Sequence, residues 1–121
     1  AVDRANARVA ELFNPYHPGV LRVLNKVARE CEQYELPFSL CGELGGDPEG
    51  AILLIAMGYR RLSMNLSSLN KVKWVLRRLN VSDMEQLLSE CLAQSTAKQV
   101  LRLTRSFMLE HKLGDLFYTP K

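Results

Sequence analysis

Phe38-Ser39-Leu40-Cys41-Gly42-Glu43-Leu44-Gly45-Gly46-Asp47-Pro48 is the stretch whose reading decides the fold of this chain. Phe38, Leu40 and their neighbours form a brief apolar run between Pro37 and Gly42, which predicts a short strand covered on both faces. Asp47 is placed to cap a helix beginning at Pro48, because proline has no N–H to leave unpaired there and its φ is already helical. A strand, a glycine-rich turn and a helix start therefore follow one another, with Cys41 at the carboxyl end of the strand. In parallel α/β folds that is the end where ligands bind.

The rest of the chain is consistent with this beginning. Ahead of it, Val9, Leu12 and Phe13 with Asp3 as a cap predict a short helix over 3–13, ended by Asn14-Pro15, and Tyr16-His17-Pro18 reads as a linker with turn structure. From Pro18 to Tyr34, Val20, Leu21, Leu24, Val27, Ala28 and Cys31 recur at helical spacing, with Arg22, Lys26, Arg29 and Glu30 on the wet side. After it, Pro48–Met57 is apolar almost all round and predicts a largely buried helix, closed by Gly58 in the left-handed C′ position. Arg61–Asn65 reads as a second strand. Leu66-Ser67-Ser68 opens a helix through Leu79 whose other face carries Lys71, Lys73, Arg77 and Arg78, read as a solvated surface. Ser82 with Glu85 and Thr96 with Gln99 are two capping boxes ahead of two further helices, the second closed near Gly114. Phe117–Lys121 reads as a tail.

Alternating helices and strands imply parallel strands joined by crossovers. Two parallel strands do not make a self-sufficient sheet, so the order predicts a piece of a larger α/β protein. The first residue is alanine rather than an initiator methionine, which points the same way. Hydrophobic content of 47% over 121 residues suits one packed unit and excludes disorder. A net charge of +3, from 16 basic and 13 acidic residues, is compatible with an anionic ligand and far from the footprint of a nucleic-acid binder. No apolar run reaches the roughly 18 residues of a membrane span. The Ala-Val-Asp-Arg start has neither the charged nor the apolar region of a signal peptide, so neither membrane nor export is expected. Three cysteines, at 31, 41 and 91, show no metal-type spacing. An odd count without an export signal fits a reducing cytoplasm. Cys31 and Cys91 are expected as small buried hydrophobes.

Cys41 is the residue placed for chemistry. A thiol at a strand end, before backbone amides and a helix N-terminus, meets partial positive charge that favours the thiolate. Nucleophile, proton donor and buried structural cysteine all remain open. No Cys-His-Asn arrangement is evident with His17 and His111 alone, which disfavours protease-like chemistry. Gly42, Gly45, Gly46 and Asp47 form a turn that is neither a dinucleotide nor a Walker loop, and its glycines are read as a tight connection needing positive φ. Glu43 can orient Cys41 or a nearby basic group, or simply face solvent. His111, near a helix C-terminus, is read as complementing the dipole.

Phe38–Asp47, together with Val2-Asp3-Arg4 before it and Tyr59-Arg60-Arg61-Leu62-Ser63-Met64-Asn65 after it, resembles the C-terminal end of enzyme I of the bacterial phosphoenolpyruvate phosphotransferase system. Its nitrogen-related form is the nearest. The resemblance is specific over residues 1 to about 80 and continues as a helical pattern to the end. It implies a (β/α)₈ TIM-type barrel, of which this helix-rich chain is a C-terminal fragment with about two β/α units (1–80) and extra terminal helices (81–121). It also implies a phosphoenolpyruvate-protein phosphotransferase that moves phosphate to its own histidine and then to a histidine phosphocarrier protein. Cys41 matches the family cysteine that exchanges a proton with the pyruvate carbon, and Arg4 the arginine that grips the phosphate, a role suited to a planar guanidinium. The resemblance further implies magnesium, with its ligands upstream of Ala1 and no metal ligand here, and a cytoplasmic homodimer. This chain alone is expected to be inactive. A pyruvate phosphate dikinase-like enzyme and a non-catalytic dimerisation module are the alternatives.

Overall fold

The helix predicted to be apolar all round lies at the centre of the molecule. A computed structural model describes residues 14–41 and 43–114, with only the backbone at Cys41 and Glu43. In chain order its elements are α1 (Pro18–Gln33), β1 (Leu40–Cys41), α2 (Glu43–Gly46), α3 (Pro48–Met57), β2 (Leu62–Ser63), α4 (Leu66–Leu76), α5 (Val81–Leu92) and α6 (Ala97–Glu110). The helices expected over 3–13, the tail from Phe117, Arg4 and Gly42 lie outside the described residues. In α3, Ala51, Ile52, Leu53, Leu54, Ala56 and Met57 are all buried. The helix packs against α1, α2, α4, α5 and α6, leaving only Pro48 and Ile55 partly exposed.

α1 begins as proline predicts. His17 is its N-cap, with Nδ1 accepting a bond from the Gly19 N–H at 3.0 Å, and Pro18 follows at the first turn. Leu21 and Ala28 are buried against the core. The apolar stripe is wider than the surface that covers it: Val27 is 43% exposed and Cys31 only half-buried, against the expectation for both. Arg22 and Arg29 do more than face water. Arg22 donates to the Leu92 carbonyl at 2.9 and 3.1 Å and to the Gln94 carbonyl at 2.9 Å, at the end of α5. Arg29 donates to the Met57 carbonyl at the end of α3. Cations thus meet the carbonyls that two helix C-termini leave unpaired.

Three helices end in Schellman motifs. α3 uses Gly58 at φ 113°, as its sequence predicts, with the Tyr59 N–H on the Leu54 carbonyl at 3.0 Å. α1 ends the same way on Glu35 at φ 55°, the Leu36 N–H reaching the Cys31 carbonyl at 2.8 Å. α6 does so on Lys112 at φ 61°, the Leu113 N–H reaching the Met108 carbonyl at 2.7 Å. Both helices stop close to where the sequence reading ends them, but neither left-handed residue is a glycine, so the motif itself was not visible in the composition.

Caps decide the other boundaries. Thr96 and Gln99 form the predicted capping box of α6. At α5 the predicted box is not used: Asn80 is the cap, its Oδ1 accepting from the Asp83 N–H at 2.9 Å, and Ser82 and Glu85 fall inside the helix. Asn80 lies two residues earlier and claims the orphan amide first. α4 is capped by Asn65 and stops at Leu76, short of Leu79, because Arg77 to Leu79 turn towards that next cap. The strands are parallel, as expected, with Leu40 opposite Leu62 and Cys41 opposite Ser63. Each has two residues instead of the four or five predicted, since a two-stranded sheet has no further neighbour to extend the ladder.

Candidate functional site

The strand pairing places the predicted thiol first. Cys41 is the last residue of β1 and stands opposite Ser63, the last of β2, so both strands end on the same side. From Cys41 the chain passes through Gly42 into α2, and from Ser63 through Met64 and Asn65 into α4. This is the end of a parallel α/β arrangement at which side chains and helix N-termini converge.

The segment expected as a glycine turn is a turn of helix. Glu43 opens α2, and Gly45 and Gly46 belong to it with no positive φ; among the described residues Gly58 is the only glycine with one. A β-carbon on Gly45 would meet Leu62 Cβ at 3.4 Å, and one on Gly46 would meet Met64 Cβ at 3.4 Å, both ordinary contacts. Their smallness brings α2 close to the end of β2. The glycine that packing demands is Gly50 in α3, where a β-carbon would collide with the Leu44 carbonyl oxygen and come within 2.6 Å of Leu44 Cδ1.

Asp47 occupies the predicted N-cap of α3, but its side chain makes no capping bond. Its carboxylate accepts the hydroxyl proton of Tyr16, and the same hydroxyl oxygen faces the Gly50 N–H. Tyr16 is thus inserted between the cap and the amide it would ordinarily satisfy. Only 7% exposed, Tyr16 is part of the core rather than the linker its neighbours predict. Burial, and then the Asp47 carboxylate, push its phenol far above the usual range, so it stays protonated and donates. The proline-rich segment holds it: the Tyr16 N–H donates to Asn14 Oδ1 and the His17 N–H to the Asn14 carbonyl, both at 3.0 Å.

Within the same first turn of α3, a charge that sequence reading overlooked is buried. Glu49 is 7% exposed and accepts from the fully buried Thr104 Oγ1 of α6 at 2.5 Å, while Arg105 lies 3.9 Å away. Burial raises the Glu49 carboxyl above its usual range, against the opposing effect of the Thr104 bond; the Asp47 carboxylate adds to the rise and Arg105 opposes it. A carboxylate inside an otherwise apolar helix was the available signal. Its partner is 55 positions away in sequence and gave none.

The remaining candidates stay apart from this end. His111 caps α6, its Nδ1 2.9 Å from the Phe107 carbonyl and its Nε2 3.5 Å from Asp83, in keeping with a helix C-terminal role. Lys71, Lys73, Arg77 and Arg78 are exposed, and the Arg78 guanidinium lies 4.0 Å over the Trp74 ring. Cys91 is buried as expected, and burial pushes its thiol up to about 12. Among the described residues no three His, Cys, Asp or Glu side chains are grouped to hold a metal ion, and no helix is long and apolar enough to cross a membrane.

Residues 1–81 match the family described as PEP-utilising enzyme, PEP-binding domain. Over 116 residues, 96% of this chain, it is 40% identical to proteins of Salmonella typhimurium and Escherichia coli named phosphoenolpyruvate-dependent phosphotransferase system. It is 36% identical over 110 residues, 91% of its length, to the phosphoenolpyruvate-protein phosphotransferase of Listeria monocytogenes. It spans 16% of the first two relatives and 19% of the third. With the family pattern covering the strand, the thiol position and the turn that follows, this chain belongs to the PEP-utilising enzymes, within their PEP-binding domain.

Proposed function

We propose that the chain is the C-terminal part of a phosphoenolpyruvate-protein phosphotransferase, in which Cys41 protonates the enolate left when phosphoenolpyruvate gives up its phosphate. The observation that carries this is the position of Cys41: the final residue of a strand, beside the end of its parallel neighbour, within the segment matched to the PEP-binding domain. In the reaction the bridging P–O bond breaks, phosphate passes to an enzyme histidine, and the enolate carbon takes a proton to give pyruvate. A thiol with a reference pKa of about 8.5 holds such a proton at neutral pH. Arg4 binds the phosphate, and Gly42, Glu43, Gly45, Gly46 and Asp47 shape the turn beside the thiol.

The parent is a (β/α)₈ barrel, and this chain supplies its last β/α units. Two-residue strands and the exposed Val23, Val27, Leu36 and Leu66 are what a sheet and helix layer look like without their neighbours. Magnesium is held by carboxylates upstream of Ala1, the parent is a cytoplasmic homodimer, and a histidine phosphocarrier protein receives the phosphate. The nitrogen-related form is favoured by the Tyr59–Asn65 motif and the basic helix after it. The isolated chain is inactive.

The test uses the complete polypeptide with phosphoenolpyruvate, comparing wild type with Cys41→Ala. Loss of pyruvate release and of net self-phosphorylation, with phosphoenolpyruvate binding retained, is expected. Unchanged pyruvate release and labelling would make Cys41 structural and refute the assignment.

A further inference from the structure

The Tyr16 hydroxyl has an unusual place, at the start of the helix that follows the Cys41–Asp47 turn. An N-cap aspartate ordinarily satisfies the amides of its own helix. Asp47 instead accepts from Tyr16, whose hydroxyl oxygen also faces the backbone N–H of Gly50, the third residue of α3. The helix start is therefore closed by a residue 31 positions upstream. That residue is buried and belongs to the Asn14–Pro18 turn, which is rigid for local reasons: two prolines, and two hydrogen bonds back to Asn14 at 3.0 Å.

The turn after Cys41 has two anchors as a result. At one end the Cys41 backbone is held in the ladder to Ser63. At the other, Asp47 is held by Tyr16, with the Asp47 N–H closing back on the Leu44 carbonyl at 3.3 Å. Between them lies α2, which has no side chains at Gly45 and Gly46 to hold the segment.

We propose that Tyr16 is a positioning residue, whose hydroxyl, bonded to the N-cap of α3, sets the Cys41–Asp47 turn. The inference rests on the function proposed above. Tyr16 touches no reacting atom; it acts through Asp47. Displacing a reacting group by about an ångström can cost up to about a hundredfold in rate, and loss of one of two anchors is expected to cost about tenfold.

The experiment is single-turnover pyruvate formation by the complete polypeptide, with the rate measured across phosphoenolpyruvate concentrations in magnesium buffer. Tyr16→Phe keeps the ring in the core and removes only the hydroxyl. Its saturating rate is expected to fall about tenfold with half-saturation unchanged, the pattern of an interaction that serves the transition state and not ground-state binding. Asp47→Ala should fall equally, the double variant no further, and Asp47→Asn, which keeps an acceptor oxygen, should retain most of the rate. Tyr59→Phe is the control: it loses a comparable buried bond, to the Leu24 carbonyl at 3.0 Å, beyond the far end of α3, and should leave the saturating rate unchanged. A Tyr16→Phe rate within twofold of wild type overturns the inference, as does an additive double variant or an equal fall in Tyr59→Phe. Cys41→Ala measured alongside separates the two readings. If it is inactive while Tyr16→Phe is normal, only the positioning role falls; if it forms pyruvate normally, the thiol assignment falls and the positioning role with it.

Discussion

Replacing Thr104 by valine removes one hydroxyl at nearly constant volume and isolates the bond that joins α3 to α6. Thr104 is fully buried, and its Oγ1 lies 2.5 Å from Glu49 Oε2 and 3.0 Å from the Leu101 carbonyl. With Glu49 ionised, the hydroxyl proton goes to the carboxylate, and valine leaves that charge, among the described residues, with Arg105, 3.9 Å away on a side chain 62% exposed. Solvent screening makes Arg105 a weak substitute. A hydrogen bond to a charged group contributes about 1.5–3 kcal/mol, and the stranded buried oxygen adds desolvation, so we expect a loss of about 2–4 kcal/mol at a pH where Glu49 is ionised. Against a typical total of about 5–15 kcal/mol that is a large share. Urea unfolding followed by circular dichroism measures it, and Thr104→Ser, which loses a methyl but keeps the hydroxyl, should cost only about 1 kcal/mol.

The same pair sets a pH dependence. Burial raises the Glu49 carboxyl in the folded state, so the folded protein binds its proton more tightly than the unfolded chain does. Stability from this group is fully present below the unfolded value and declines as pH rises through the raised folded one. When Glu49 is protonated it can donate to Thr104 Oγ1, freeing the hydroxyl proton for the Leu101 carbonyl. The lost bond is then between neutral groups, and the Thr104→Val penalty should shrink to about 1 kcal/mol in acid. A valine variant no less stable than the serine variant at a pH where Glu49 is ionised, or a penalty that grows on acidification, would refute this account of the α3–α6 contact.

Three further outcomes are expected. Gly50→Ala should destabilise by about 1–3 kcal/mol in the same urea assay, because its β-carbon meets the Leu44 carbonyl; a neutral result would mean that α2 moves aside freely. Glu35→Gly should stabilise by about 0.5–1 kcal/mol, since it relieves a left-handed non-glycine at φ 55° while adding freedom to the unfolded chain; destabilisation would show that the Glu35 side chain makes a compensating contact. Cys91, buried with its thiol pushed up to about 12, should resist alkylation by iodoacetamide at pH 8 until the protein unfolds, while the half-buried Cys31 reacts sooner; mass spectrometry of a timed reaction gives the order, and early labelling of Cys91 would contradict the packing.

What the sequence by itself determined were features whose causes lie within a few residues of each other. Pro48 and Gly58 bracket α3, the Thr96–Gln99 box opens α6, and the apolar runs mark the helices and the strand that ends at Cys41. Each depends on local backbone preference or on a hydrogen bond spanning three or four positions, and such causes are written in adjacent letters. The thiol at the strand end was legible for the same reason, and so was the family pattern around it. The tertiary structure alone decided which of several competent groups are used. Asp47 has the chemistry of a cap, yet packing of the Asn14–Pro18 turn brings it Tyr16 instead. Glu35 and Lys112 take left-handed positions that glycine would fill at less cost, and Glu49 finds Thr104 across 55 residues. A buried polar group must find a partner wherever the fold supplies one, and that partner is chosen in space, after the helices have packed.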